Sequence, residues 1–137
     1  EESEIFEKED YIDWKYFIYY HKDKPIAFTE LKVFDSKHVL TGQFAWDYQH
    51  PKLGMGTYAT LYEIDWSIKN KCKKYYLSYG YEKTSIYKSR FDGFEFWNGR
   101  SWIDNKITYK KLCEYDTDVE TLPELNKYQR KYFEVIN

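Results

Sequence analysis

Apolar and polar side chains alternate through the first third of the chain. An aromatic run from Trp14 to His21 suits a strand, and Lys22-Asp23-Lys24-Pro25 reads as a tight turn. From Ile26 to Phe34 the period is two: Ala27, Thr29, Leu31 and Val33 share one side, and Ile26, Phe28, Glu30, Lys32 and Phe34 the other. A polar turn at Asp35-Ser36-Lys37 leads into a third strand from His38 to about Trp46, so the three form an antiparallel meander. The period then lengthens. Behind the glycine-bearing stretch Pro51–Tyr58, a helical pattern runs to about Asn70, with Tyr58, Leu61, Ile64 and Ile68 (and Trp66 at the margin) as its apolar stripe and Glu63, Lys69 and Lys71 facing away.

A compact strand follows from Lys74 to Tyr79, ending at Gly80; strand, helix and strand predict a right-handed crossover with the two strands parallel. Tyr81 to Arg90 suits a second helix with Ile86 and Tyr87 inward. Phe94 to Trp102 reads as a hairpin, Asn98-Gly99 favouring a type I′ turn. Beyond Asp104 the pattern loosens, apart from a C-terminal helix from Leu122 to Val135 opening at Pro123. The fold class is α+β in α/β/α layers: a mixed sheet built from an antiparallel N-terminal meander, a glycine loop and helix, a parallel strand and a C-terminal hairpin. At 137 residues the expectation is one domain over 1–137, with 1–12 and 105–137 peripheral to it.

Composition narrows the chemistry. A net charge of −2 and a pI near 6.0 exclude a generally basic nucleic-acid binder but leave room for a local basic patch. No apolar run approaches the ~18 residues of a membrane span, and the acidic start Glu1-Glu2-Ser3-Glu4 is the opposite of a secretory signal. Cys72 and Cys113 make no disulfide framework and, with His21, His38 and His50 scattered, no zinc site is expected; free thiols suit a reducing, cytoplasmic setting. Aromatic residues reach 22%, with 16 tyrosines, reflecting either an AT-rich genome or a stacking or aminoacyl pocket.

The sharpest chemical signal is the loop itself. Gly54 and Gly56 sit between a strand and a helix, where first-turn amides have no intrahelical acceptor and the helix dipole favours an anion. Lys52 adds a positive charge beside them. The competing reading is an ordinary strand-to-helix turn, because a lone Gly-x-Gly is a weak motif.

The order of elements resembles the GNAT acyltransferase fold, whose loop reads Arg/Gln-x-x-Gly-x-Gly/Ala; Gly54 and Gly56 match, and Pro51 stands where Arg or Gln is usual. Gly93-Phe94, following the segment around Tyr87, also matches that superfamily. From Phe44 to Trp102 the chain more closely resembles the C-terminal domain of arginyl-tRNA–protein transferases and their bacterial leucyl-transferring relatives. The motifs are Trp46-Asp47, Gly56-Thr57-Tyr58, Tyr76-Leu77-Ser78-Tyr79-Gly80-Tyr81, Tyr87-Lys88-Ser89-Arg90-Phe91, then Glu95 and Gly99-Arg100-Ser101-Trp102. Met55 replaces the family's Leu, the interval from Gly80 to Tyr87 is short, and the cysteine-rich N-terminal domain is missing, so the chain is read as a fragment or a compact relative.

The resemblance implies a transferase that moves an acyl or aminoacyl group to an amine. The donor is aminoacyl-tRNA or acetyl-coenzyme A, with no permanently bound cofactor, and the acceptor amine is that of a protein or peptide, such as its N-terminus, or a small amine. Lys52, Gly54, Met55, Gly56, Thr57 and Tyr58 would hold the donor's phosphates; Trp46, Tyr79, Tyr81, Lys88 and Arg90 would bind substrate, with Lys52, Lys83, Lys88 and Arg90 as the basic stripe. Tyr87 is the implied proton donor, or else plain core. Asp47 would receive the incoming ammonium or act as base, or else cap the loop, and His50 is a lesser base candidate. Lys88 and Arg90 meet phosphates or are solvated surface. The oxyanion would be met by backbone amide around Phe44 to Asp47. Three readings stay open: an aminoacyl-tRNA–protein transferase-like domain, an acetyl-coenzyme A-dependent N-acetyltransferase, and a GNAT-like binding module without chemistry. Oligomeric state is not legible.

Overall fold

Two reversals of the chain organise the N-terminal sheet. Lys22 and Asp23 (φ +47° and +62°) turn β1, Ile12–His21, into β2, Lys24–Phe34. Asp35 and Ser36 (φ +51° and +56°) turn β2 into β3, His38–Trp46, with Lys37 N–H donating to the Phe34 carbonyl at 3.0 Å. Two consecutive positive φ values are the signature of the hairpin turn that matches strand twist. Here it is reached without glycine. The computed structural model describes residues 12–78 and 82–115. The chain divides into two compact units, with the break after Ser78.

In the first unit the sheet order is β1-β2-β3-β4, where β4 is Lys74–Tyr76, parallel to β3. The meander, the parallel fourth strand and the intervening helix α1, Met55–Lys69, are the predicted α+β arrangement and are compatible with a GNAT-like layout. On β2 the period-two reading holds: Ala27, Thr29, Leu31 and Val33 are all buried. Leu31, Val33 and Val39 form one core cluster, with Trp66 and Tyr75 packed on it; Tyr19, Ile26, Ala27, Met55 and Ala59 form another.

A bulge in β3 changes which side chains face α1. Leu31 pairs with Thr41 and Thr29 with Phe44, so Gly42 and Gln43 together oppose Glu30. A Cβ at Gly42 would lie 2.7 Å from the Glu30 carboxylate and 3.0 Å from its carbonyl oxygen, so a larger residue there requires Glu30 to shift. Opposed residues of an antiparallel pair share a face. The extra residue therefore puts Phe44 and Trp46, opposite buried Thr29 and Ala27, on the α1 side and leaves Ala45 opposite Phe28 on the outer side.

The helix buries a face other than the predicted one. Met55, Ala59, Glu63 and Ser67 are buried, whereas Tyr58, Leu61 and Ile68 are exposed, at 57%, 54% and 68%. Of the expected stripe, Tyr58, Leu61 and Ile68 thus lie outward, Ile64 is half-buried and Trp66 packs on the core, while Glu63, expected outward, is 1% exposed. The reason is local fit: small Ala59 and Ser67 let the helix approach an aromatic sheet surface, and Phe17 meets Tyr62 and Trp66 edge-on at 5.4 and 5.6 Å.

In the second unit the expected α-helix is a 3-10 helix, Lys83–Arg90, and it does not bring Tyr87 inward. With three residues per turn, Ser85 and Lys88 share a buried row, Ile86 and Ser89 another, and Thr84, Tyr87 and Arg90 the outward one, Tyr87 at 42% exposed. The predicted hairpin is present as β5, Phe96–Trp97, and β6, Trp102–Ile103, but its turn differs. Among Asn98 and Gly99 only Gly99 has positive φ (+95°), at the first central position of a Gly99–Arg100 turn closed by Asn98 N–H to the Ser101 carbonyl at 3.1 Å. The Asn98 carboxamide oxygen accepts from the amides of Arg100 and Ser101, both at 2.8 Å, drawing Asn98 out of the central pair. Where the sequence pattern loosens, Lys106–Glu114 forms α2, capped by Asn105, and gives Tyr109, Leu112 and Cys113 to this unit's core. The C-terminal helix read over 122–135 lies outside the described residues.

Candidate functional site

The glycine loop has a defined build. Pro51 opens a short 3-10 turn, Pro51–Leu53, a place where its fixed φ and missing N–H cost nothing. That accounts for proline where the resembled loop has Arg or Gln. Gly54, at φ +58°, ends this turn and begins α1 in a left-handed conformation that L side chains avoid. Tyr58 N–H makes the first helical bond, to the Gly54 carbonyl at 3.1 Å. The amides of Met55, Gly56 and Thr57 precede it, and among the described residues no side chain caps this end. Gly56 and Thr57 are exposed, and a Cβ built on Gly56 would meet only Phe44, at 3.9 Å. Lys52 is exposed beside the loop. The side chain of Met55 is turned into the core.

The first turn of α1 stands beside the part of β3 that has lost its parallel neighbour. Strands β3 and β4 pair at His38–Lys74, Val39–Tyr75 and Leu40–Tyr76, while β3 continues to Trp46. Beyond Leu40 the two strands part, leaving one edge of Thr41–Trp46 without a strand partner among the described residues. Unpaired backbone at such an edge supplies directional N–H donors.

Asp47 begins the loop. Its N–H donates to the Ile26 carbonyl at 2.7 Å, its Oδ1 accepts from Gln49 N–H at 3.0 Å, and its Oδ2 lies 3.8 Å from His50 Nε2. It shapes the start of the loop without capping α1, its side chain is 38% exposed, and its carboxylate can accept further bonds. His50 also faces His21, ring centroids 5.8 Å apart. Trp46 is 42% exposed at the end of β3.

Tyr87, Lys88 and Arg90 belong to the second unit, and Tyr79 and Tyr81 lie outside the described residues. Lys88 is not a solvated surface charge. It is 8% exposed, and burial, opposed by the nearby Glu82 charge, lowers its ammonium below the ordinary lysine value. Arg90 is exposed.

One group escaped sequence reasoning. Glu63 sits under the sheet where all four strands reach it: Tyr19 of β1 donates to Oε1 at 3.4 Å, Tyr75 of β4 donates to Oε2, and Thr29 of β2 donates to the Tyr19 hydroxyl at 3.0 Å. Thr41 of β3 bonds the same cluster. Burial raises the Glu63 carboxyl above its ordinary range despite these donors, and burial beside Glu63 pushes the Tyr19 and Tyr75 phenols well above theirs. The available signal was the concentration of small residues, Ala59 and Ser67, one helical turn either side of it.

Among the described residues no group of three or more His, Cys, Asp or Glu side chains could hold a metal ion, and no helix is long and apolar enough to cross a membrane. The chain is similar to curated bacterial proteins. It is 33% identical over 89 residues to the aspartate/glutamate leucyltransferase of Stenotrophomonas maltophilia (strain K279a) and 32% identical over 89 residues to that of strain R551-3. Each match covers 61% of this chain and 35% of the relative, so the similarity reaches about a third of the relatives' length. No family model matches the chain. No solved structure matches it.

Proposed function

We propose that this chain carries the transfer module of an aminoacyl-tRNA–protein transferase-like enzyme, which moves an aminoacyl group from its ester carrier to the amine of a protein N-terminus. The observation that carries the reading is the first turn of α1, uncapped among the described residues, beside the part of β3 that β4 does not reach. The similarity to aspartate/glutamate leucyltransferases points the same way and favours leucyl as the group moved.

In this reading a donor phosphate rests on the amides of Met55, Gly56 and Thr57, with Lys52 nearby. The neutral acceptor nitrogen attacks the ester carbonyl carbon, a C–N bond forms, and the carbonyl oxygen becomes an oxyanion that backbone N–H groups of the free β3 edge receive. Collapse restores the carbonyl and breaks the ester C–O bond. The amine gives up a proton and the leaving oxygen gains one. His50, whose Nε2 lies 3.8 Å from Asp47 Oδ2, is the proposed acceptor of the amine's proton. Tyr87 remains the proposed proton donor, on the resemblance alone.

The test is transfer itself. Leucyl-tRNA incubated with the chain and a peptide bearing an N-terminal aspartate should add one leucyl residue to the peptide, read by mass. Acetyl-coenzyme A in its place should leave the peptide unchanged. Acetylation without leucylation would make the N-acetyltransferase reading the correct one, and binding of tRNA with no transfer would favour the module without chemistry.

A further inference from the structure

The bulge in β3 has a consequence on the far face of the sheet, away from α1. By turning Phe44 and Trp46 toward the helix side it leaves Ala45 opposite Phe28 on the outer face, where a larger side chain would fill the space between them. A groove of about 570 Å3 lies there, within the ~300–1,000 Å3 of small-molecule sites. Its walls are Tyr16 and Ile18 of β1, Phe28 of β2 and Ala45 of β3, and Trp46 and Asp47 close one end. Tyr16 and Ile18 are 62% and 55% exposed, so this apolar surface is open to solvent.

We propose that the groove is the pocket for the aliphatic side chain of an α-aminoacyl group, whose ammonium is received by Asp47. The inference rests on the aminoacyl-transfer reading above and says where the moved group is held. Its chemistry follows from the lining: hydrocarbon and aromatic surface with, among the described residues, a single carboxylate and no cationic side chain. An aliphatic α-ammonium acyl group offers the complementary pair, an apolar branch and one positive charge within a few bonds. An acidic acceptor residue does not fit, since its carboxylate would meet Asp47 and find no cation in the lining. Asp47 is also the residue from which the chain leaves β3 toward the glycine loop, so the groove and the anion-receiving helix end are joined by one short segment, residues 47–54. Free leucine and a leucyl ester share this chemistry; only the first carries a carboxylate beside the ammonium, and that group would be repelled by Asp47.

Methyl and amide NMR of the 137-residue chain with leucinamide tests this. Leucinamide should shift Ile18, Ile26 and Ala45. Glycinamide, which lacks the side chain, N-acetyl-leucinamide, which lacks the charge, and free leucine should each bind at least about tenfold more weakly. Ile18→Arg, at an exposed position, and Asp47→Asn should each weaken leucinamide by about tenfold or more with signal dispersion unchanged. Unshifted groove signals, or N-acetyl-leucinamide binding as well as leucinamide, would overturn the assignment. Leucyl transfer to peptide with the groove signals unmoved would sink this inference alone and leave the functional reading standing.

Discussion

Gly56→Asp is expected to abolish binding of tRNA while leaving the chain folded. The substituted carboxylate would stand in the first turn of α1, accept from the amides that otherwise face solvent, and repel a phosphate by like charge. The site has room, since a Cβ at Gly56 meets only Phe44 at 3.9 Å. Negative charge at a helix N-terminus stabilises the helix by ~0.3–1 kcal/mol, so the melting temperature should hold or rise. Affinity by titration calorimetry should fall by at least ~tenfold, about 1.4 kcal/mol. Gly56→Ala, which adds a Cβ but no charge, should cost much less affinity. Unchanged binding by the Asp variant, with a retained fold, would exclude the helix end as the anion site.

Glu63→Ala is expected to lower stability by ~3–5 kcal/mol, through loss of a buried network member and the hydroxyls left without an acceptor. That is a large part of the ~5–15 kcal/mol typical of a domain. The loss should be sharp because one carboxylate ties α1 to β1 and β4 directly and to β2 through Tyr19. Glu63→Gln keeps an acceptor for Tyr75 and a polar partner for Tyr19, so it should retain most of the stability. The two forms differ in pH response. Burial raises the Glu63 carboxyl above its ordinary value of 4.5, so between that value and the raised one the folded chain binds more protons than the unfolded chain. Stability contributed by the neutral carboxyl is therefore full below the ordinary value and is lost as pH rises through the raised one. Urea titrations across pH 4 to 8 should show this decline in the parent and its removal in Glu63→Gln; identical profiles would refute the assignment.

What the sequence disclosed about the fold follows from where side chains are dictated by one surface. Ala27, Thr29, Leu31 and Val33 alternate because β2 lies centrally in the meander, with one face against α1, so period two was visible. On α1 the same logic misled: hydrophobicity marked Leu61 and Ile68, but approach to an aromatic sheet selected small residues and a hydrogen-bonded Glu63. Burial of a carboxylate depends on hydroxyls from residues 19, 29, 41 and 75, which no local window brings together. The Asn98-Gly99 signal located the hairpin but not its turn, because the Asn98 side chain competes with the backbone. The loop's glycines were legible as a helix start, and the left-handed Gly54 gives that start its physical reason. The groove was not legible, since it depends on a bulge that shifts Ala45 outward.

The most direct measurement is an amide NMR titration of the chain with leucyl-tRNA bearing a non-hydrolysable linkage. The first-turn amides of Met55, Gly56 and Thr57 should move together and saturate, and Gly56→Asp should silence them. Saturable binding that leaves these three signals in place and moves others would contradict a donor phosphate seated on the start of α1.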